Sequence, residues 1–289
     1  MNADSRVEIV WPLTCRGFFS EYNVMLWMLL YSRMTSRGFR LQVTDESIIS
    51  LEFAQRLFNV EIATGRVATE PRTARAGLRR VLGRLFGADF SPEFLFDKLW
   101  RHRYERKVNR QLDSLEALRR LHEEVWRGCD EAGEEIGSAL QQLGLSRDDR
   151  YVAMHVRRGD KVVMEARYVA ADVFVSRIPA EFAQLPVLVA TDDYRAVQEV
   201  EQSLAAAGRA NRVLTTATPG ATGHDEASFR ARSLSDRNDL VRRVVTDFCL
   251  LCRSAHFIGS FSSNLSRTVH VARGGRASCS VDTDFRFIQ

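Results

Sequence analysis

The twelve residues HVRRGDKVVMEA, 155 to 166, carry two adjacent arginines, an aspartate, a lysine, a glutamate and a histidine. They follow directly on YVAM, which reads as a strand, so the charges gather where a strand ends. Side chains alternate across a strand, so Arg157 and Arg158 point apart, one toward a crevice and one into its own domain. A guanidinium forks onto phosphate oxygens and does not deprotonate, which suits a diphosphate ligand. Gly159 permits a sharp turn, and Asp160 can hold an arginine in place. Lys161 and Glu165 are four residues apart, neighbours on one face if the segment turns helical. In a cleft beside a phosphate, that pair is a candidate base with a cation to tune it. Lysine is rare in this chain, at Lys98, Lys107 and Lys161 only, so its use inside the motif stands out. The bland reading of the same residues is a surface ion-pair cluster.

Further polar groups stand just past other strands. ATDD follows the apolar run LPVLV and puts Asp192 and Asp193 at a strand end. Paired acids can bind a metal or accept hydrogen bonds from a base and ribose. With no clear third ligand nearby, hydrogen bonding is favoured. GSFSSN follows HFI, and Ser262, Ser263 and Asn264 open a helical pattern there. They cap a helix, and its first N–H groups can take a phosphate.

The elements that place these residues alternate between strand and helix. VEIVW, a loop TCRGFFS, a helix from Glu21 to about Arg37 with Ser20 as its cap, and FRLQVTD form one βαβ unit. Residues 47 to 110 read as mainly helical, and 112 to 145 as a long amphipathic stretch. The second half runs through YVAMHV, a helix from about Ala170, LPVLVATDD, the helix AVQEVEQSLAAAG and the strand RVLTTAT. Residues 217 to 235 form a polar loop suited to facing a site. A helix from about Asp236 to Ser254, the strand HFIGS and a helix from Asn264 to about Arg273 follow. The expectation is an α/β protein of two Rossmann-like lobes facing a central cleft, an acceptor-side lobe over 1–145 and a nucleotide-binding lobe over 146–289.

Composition narrows the class. With 45% hydrophobic and 27% charged residues over 289 positions, the chain can bury a large core without staples. No apolar run is long enough to span a bilayer, and the N-terminus lacks the pattern of a signal peptide, so a cytoplasmic protein without a transmembrane segment is expected. The five cysteines are odd in number and irregular in spacing, which reads as reduced thiols. Cys249 and Cys252 would be buried in a helix. Net charge is only +4. The basic segments GLRRVLGRLF and WRHRYERK, which mix base with apolar or aromatic residues, therefore read as solvated helix faces rather than a nucleic-acid site.

Together HVRRGDKVVMEA, ATDD, TDFCLLCRSAHFIGSFSSNLSR and the terminal SVDTDFRF resemble the α1,6-fucosyltransferase family, in the family's order and at similar spacing. The resemblance covers roughly Tyr151 to the C-terminus. It implies a fold related to the GT-B type and an inverting, metal-independent transfer of L-fucose from GDP-fucose to a carbohydrate or glycoconjugate hydroxyl, with no cofactor. By position, Glu165 would be the base with Lys161 beside it, and Arg157 would bind the diphosphate. Asp192, Asp193 and Asp247 would belong to the donor network, Ser262 and Ser263 would lie by the phosphates, and His155 would bind or support the nucleotide. Arg158, Asp160 and Asn264 fall in the same motifs and join the candidate donor site. Another GDP-hexose donor, or a non-catalytic nucleotide- or RNA-binding protein, are the alternatives.

Overall fold

The computed structural model describes residues 8–15, 17–34, 38–64, 115–158, 168–223 and 225–286. The first half builds a parallel sheet in the order β1-β2-β3, from β1 (Glu8–Pro12), β2 (Gly38–Val43) and β3 (Ile62–Thr64). Helix α1 (Phe18–Met34) joins β1 to β2, so the expected βαβ unit is present. It begins earlier than the cap reading predicts: Phe18 and Phe19 are buried, and the Gly17 carbonyl already accepts from the N–H groups of Ser20 and Glu21. Ser20 therefore lies inside the helix. Strand β3 falls in a stretch that reads as helical, after the short α2 (Leu51–Leu57).

The amphipathic stretch after residue 112 is three helices, α3 (Leu115–Val125), α4 (Gly128–Glu131) and α5 (Gly133–Gln142). The first break has a steric cause. The Trp126 ring folds over Gly128, where a Cβ would sit 2.3 Å from the indole. Only glycine allows the chain to turn under its own tryptophan.

The second half is one parallel sheet in the order β6-β5-β4-β7-β8, from β4 (Val152–Val156), β5 (Val187–Thr191), β6 (Val213–Thr215), β7 (His256–Gly259) and β8 (Ser278–Ser280). Helices α6 (Ala171–Ser176) and α7 (Arg195–Ala206) share an apolar cluster with Val152, Met154 and Val156 on one face of β4. The short α8 (Glu226–Arg230) interrupts the expected polar loop and leads into α9 (Leu234–Arg253). With α10 (Asn264–Ala272), α9 covers the other face. The chain order of the strands makes the boundary between β4 and β7 the point where the connections change direction. Ligands of such sheets bind there, beyond the carboxyl ends. Strand β8 lies in a segment too polar and short to announce itself.

A single apolar core runs through both halves. Leu26, Phe53, Leu118, Ala153, Leu188, Phe248 and Val269 all belong to it. Polar contacts cross between the halves too: Arg237 of α9, itself buried, donates to the carbonyls of Asp45 and Ser47, and Asn238 exchanges hydrogen bonds with Ser50. Among the described residues no helix is long and apolar enough to cross a membrane.

The reading of five reduced thiols is corrected. Cys129 of α4 is joined to Cys249 of α9, 120 residues away. Spacing along the chain cannot show a partner at that separation; it is the turn at Gly128 that carries Cys129 to α9. Cys15, Cys252 and Cys279 stand outside any disulfide. Thiol titration of the denatured, unreduced protein should therefore find three reactive groups per chain. A count of five would remove the cross-link.

Candidate active site

Strand β4 ends at the switch point of the second sheet, and its last residues alternate as a strand must. His155 lies on the α10 side, and its Nδ1 is 2.7 Å from the Ser266 hydroxyl. Arg158 turns the other way, donating to Glu199 of α7 at 2.7 Å with its guanidinium 4.3 Å from the centre of the Tyr168 ring. That leaves Arg157 between them. Its Nη1 donates to Asp192 Oδ2 at 2.7 Å, while the other oxygen of Asp192 accepts from the Arg158 backbone N–H at 2.8 Å. A carboxylate just past β5 thus holds the guanidinium just past β4, with 18% of the arginine side chain left open.

Asp193 does not join this pair. It is buried and accepts from the backbone and Nε of Arg195 at 2.9 and 3.1 Å, and that hydrogen-bonded guanidinium keeps its carboxyl below the usual range. Its role here is to close the turn into α7. Asp247 of α9 accepts from the Thr216 hydroxyl, just past β6, at 2.6 Å. Burial pushes its pKa up to about 6 against the opposing pull of that hydrogen bond.

The segment past β7 is built around a residue that sequence reasoning left without a role. Asp282, just after β8, accepts from the backbone N–H groups of Phe261 and Ser262 at 2.7 and 3.2 Å and from the Ser262 hydroxyl at 2.5 Å. Ser262 is thereby committed to the loop. Ser263, also buried, caps α10 by position, yet its hydroxyl makes no capping bond. Asn264 ties α10 to α1: its carbonyl and its side-chain oxygen each accept from the Asn23 amide at 3.3 Å, and Thr268 donates to Asn23 at 2.8 Å. The terminal motif SVDTDFRF contains Asp282; only the pairing of β8 beside β7 shows what it holds.

Lys161, Glu165, Asp160 and Gly159 lie outside the described residues, as do GLRRVLGRLF and WRHRYERK. His155, Arg157, Arg158 and Asp192 come together at the ends of β4 and β5. Ser262, Ser263 and Asn264 stand past β7, the neighbour of β4 on its other side.

No family model matches the chain, and a search of curated proteins finds no significant match. Solved structures do match. FUT1 of Arabidopsis thaliana in complex with GDP aligns at 10% identity with TM-score 0.54, covering 99% of this chain and 73% of that one. An apo form of POFUT1 aligns at 12% identity with TM-score 0.50, covering 97% and 99%. The fold is that of the GT-B fucosyltransferases. The fucosyltransferase NodZ from Bradyrhizobium is a further match, at 14% identity and TM-score 0.46, covering 93% and 92%. Within this fold His155 and Arg157 at the end of β4 and Ser262, Ser263 and Asn264 past β7 flank the switch point of the second sheet, while Asp193 and Asp247 lie away from it toward α7 and β6.

Burial governs the site's titration. His155 and His122 are both held down to about 4, chiefly by desolvation, with Arg157 adding to the effect at His155. An unfolded chain takes up protons on these imidazoles as pH falls below about 6.5, whereas the folded chain does so only near 4. Stability is therefore lost as pH falls through that window, by on the order of 3 kcal/mol for each fully buried imidazole. Asp247 acts in the opposite sense, since its folded carboxyl binds a proton at higher pH than an unfolded one. Two imidazoles outweigh one carboxyl. Urea midpoints should drop between pH 6.5 and 4, and a flat profile would contradict the burial of the two histidines.

Proposed function

We propose that the chain is a GDP-fucose-dependent fucosyltransferase that acts on a hydroxyl of a carbohydrate or glycoconjugate acceptor, the 6-hydroxyl of a GlcNAc-type sugar being the position the motif resemblance indicates. The observation that carries this reading is Arg157 at the switch point, braced by Asp192 and partly open. A diphosphate leaving group gathers negative charge as its bond to the sugar breaks, and a pre-positioned guanidinium lowers that barrier with no reorganisation of its own. The N-terminus of α10 and the Ser263 hydroxyl, which makes no capping bond, add donors past the neighbouring strand. In this reading arginine, not a metal, offsets the diphosphate charge. His155 and Asp247 serve the nucleotide, Asp192 and Asp193 hold the arginines, and Asp282 shapes the loop past β7.

The reaction is a single displacement. Glu165, with Lys161 beside it, takes the proton from the acceptor hydroxyl. That oxygen attacks C1 of fucose from the face opposite the diphosphate, and GDP departs with the bonding pair, inverting the anomeric carbon.

Titration calorimetry with GDP, GDP-fucose and UDP tests the donor. Losing one charge-assisted bidentate contact in Arg157→Ala should weaken GDP binding by roughly ten- to hundredfold, about 1.5–3 kcal/mol, with guanine preferred over uracil in the unmutated chain. No GDP binding to the unmutated chain would overturn the reading. The base is tested separately: Glu165→Gln should abolish transfer and keep GDP affinity.

A further inference from the structure

His155 of β4 stands opposite Gly259 of β7 in the parallel register. Gly259 leaves that position bare, and α10 uses the gap. A Cβ on Gly259 would lie 2.7 Å from the Ser266 hydroxyl and 2.6 Å from the Phe257 ring. Through the space thus left, Ser266 reaches over β7 and meets His155 Nδ1 at 2.7 Å.

The direction of that hydrogen bond follows from burial. Ser266 has no exposure at all, and its hydroxyl has no other partner among the described residues. Other helical hydroxyls of this chain donate backward to the carbonyl four residues earlier, as Thr268 does to Asn264 and Thr246 to Arg242. Ser266 does not. If Nδ1–H of His155 donated to Ser266, the serine proton would be buried with no acceptor, which costs the full desolvation of a donor. The hydroxyl must instead donate to Nδ1, and the imidazole proton then sits on Nε2. Nε2 has no partner among the described residues, and His155 is the penultimate residue of β4, beside the switch point at its carboxyl end.

We infer that Ser266 is a positioning residue: its hydroxyl locks His155 in the Nε2–H tautomer, so that a neutral N–H donor is presented to an oxygen of the sugar nucleotide. The inference rests on the donor-site reading above. A neutral ring is what burial favours here, with its pKa held to about 4.

The test is long-range 1H–15N correlation on the full chain labelled with 15N-histidine, without nucleotide, assigning the ring by its loss in His155→Gln. The expected spectrum shows a protonated Nε2 and a bare Nδ1. Ser266→Ala should release the ring to the other tautomer or to an average of both, and Gly259→Ala, which pushes the hydroxyl off Nδ1, should do the same. GDP affinity should fall roughly tenfold in each folded variant, the scale of one lost hydrogen bond. An Nδ1–H tautomer in the unmutated chain, or a tautomer unchanged in both variants, would overturn the lock. If the tautomer behaves as expected but the unmutated chain binds no GDP, the donor reading falls and the nucleotide half of this inference falls with it.

Discussion

Strand β4 is covered on both faces, and all five of its residues are buried. A strand in that position cannot carry a charge along its length, because a buried ion without a partner is driven back toward its neutral form or out to water. Charged side chains can follow only where the strand runs out. The sequence obeys this closely: Val152, Ala153, Met154 and Val156 fill the two layers, His155 enters as a neutral ring, and Arg157 and Arg158 begin at the edge. Alternation then separates them. Arg158, with the parity of Val156, is drawn to Glu199 on the α7 side, and Arg157 meets the Asp192 carboxylate at the adjoining strand end.

The second requirement is close approach of α10 to the sheet. It is met by removing a side chain at Gly259 and by pulling the preceding loop onto Asp282. Asn23 of α1 then receives α10 from the other half through Asn264 and Thr268. The loop and helix past β7 therefore depend on residues from three separated parts of the chain. The same helices, α9 and α10, complete the apolar core with the first half, so the geometry at the strand ends and the packing between halves share their supports.

Much of this was legible in the sequence for a physical reason. Strand β4 and its polar terminus announce themselves because burial and alternation act on consecutive residues. The βαβ unit at the start, the strand before ATDD and the helix after GSFSSN are equally local patterns. Strands β3 and β8 were not legible, since three residues hold too little periodicity and each is recognised only by the neighbour it pairs with. The break at Trp126 was hidden in the same way, because helical periodicity continues on both sides of a turn that sterics alone impose.

By itself, then, the sequence determined the alternating α/β order, the buried central strand, and the cluster of arginine, acid and hydroxyl groups at strand ends. These are matters of residue type and spacing within a few turns or a few strand positions. Only the tertiary structure decided partnerships: Arg157 with Asp192, Arg158 with Glu199, Ser262 with Asp282, His155 with Ser266, and Cys129 with Cys249. Each joins residues between 20 and 120 positions apart. Such pairs form because the sheet order and the packing of helices on it bring distant elements together, and no local propensity encodes that arrangement.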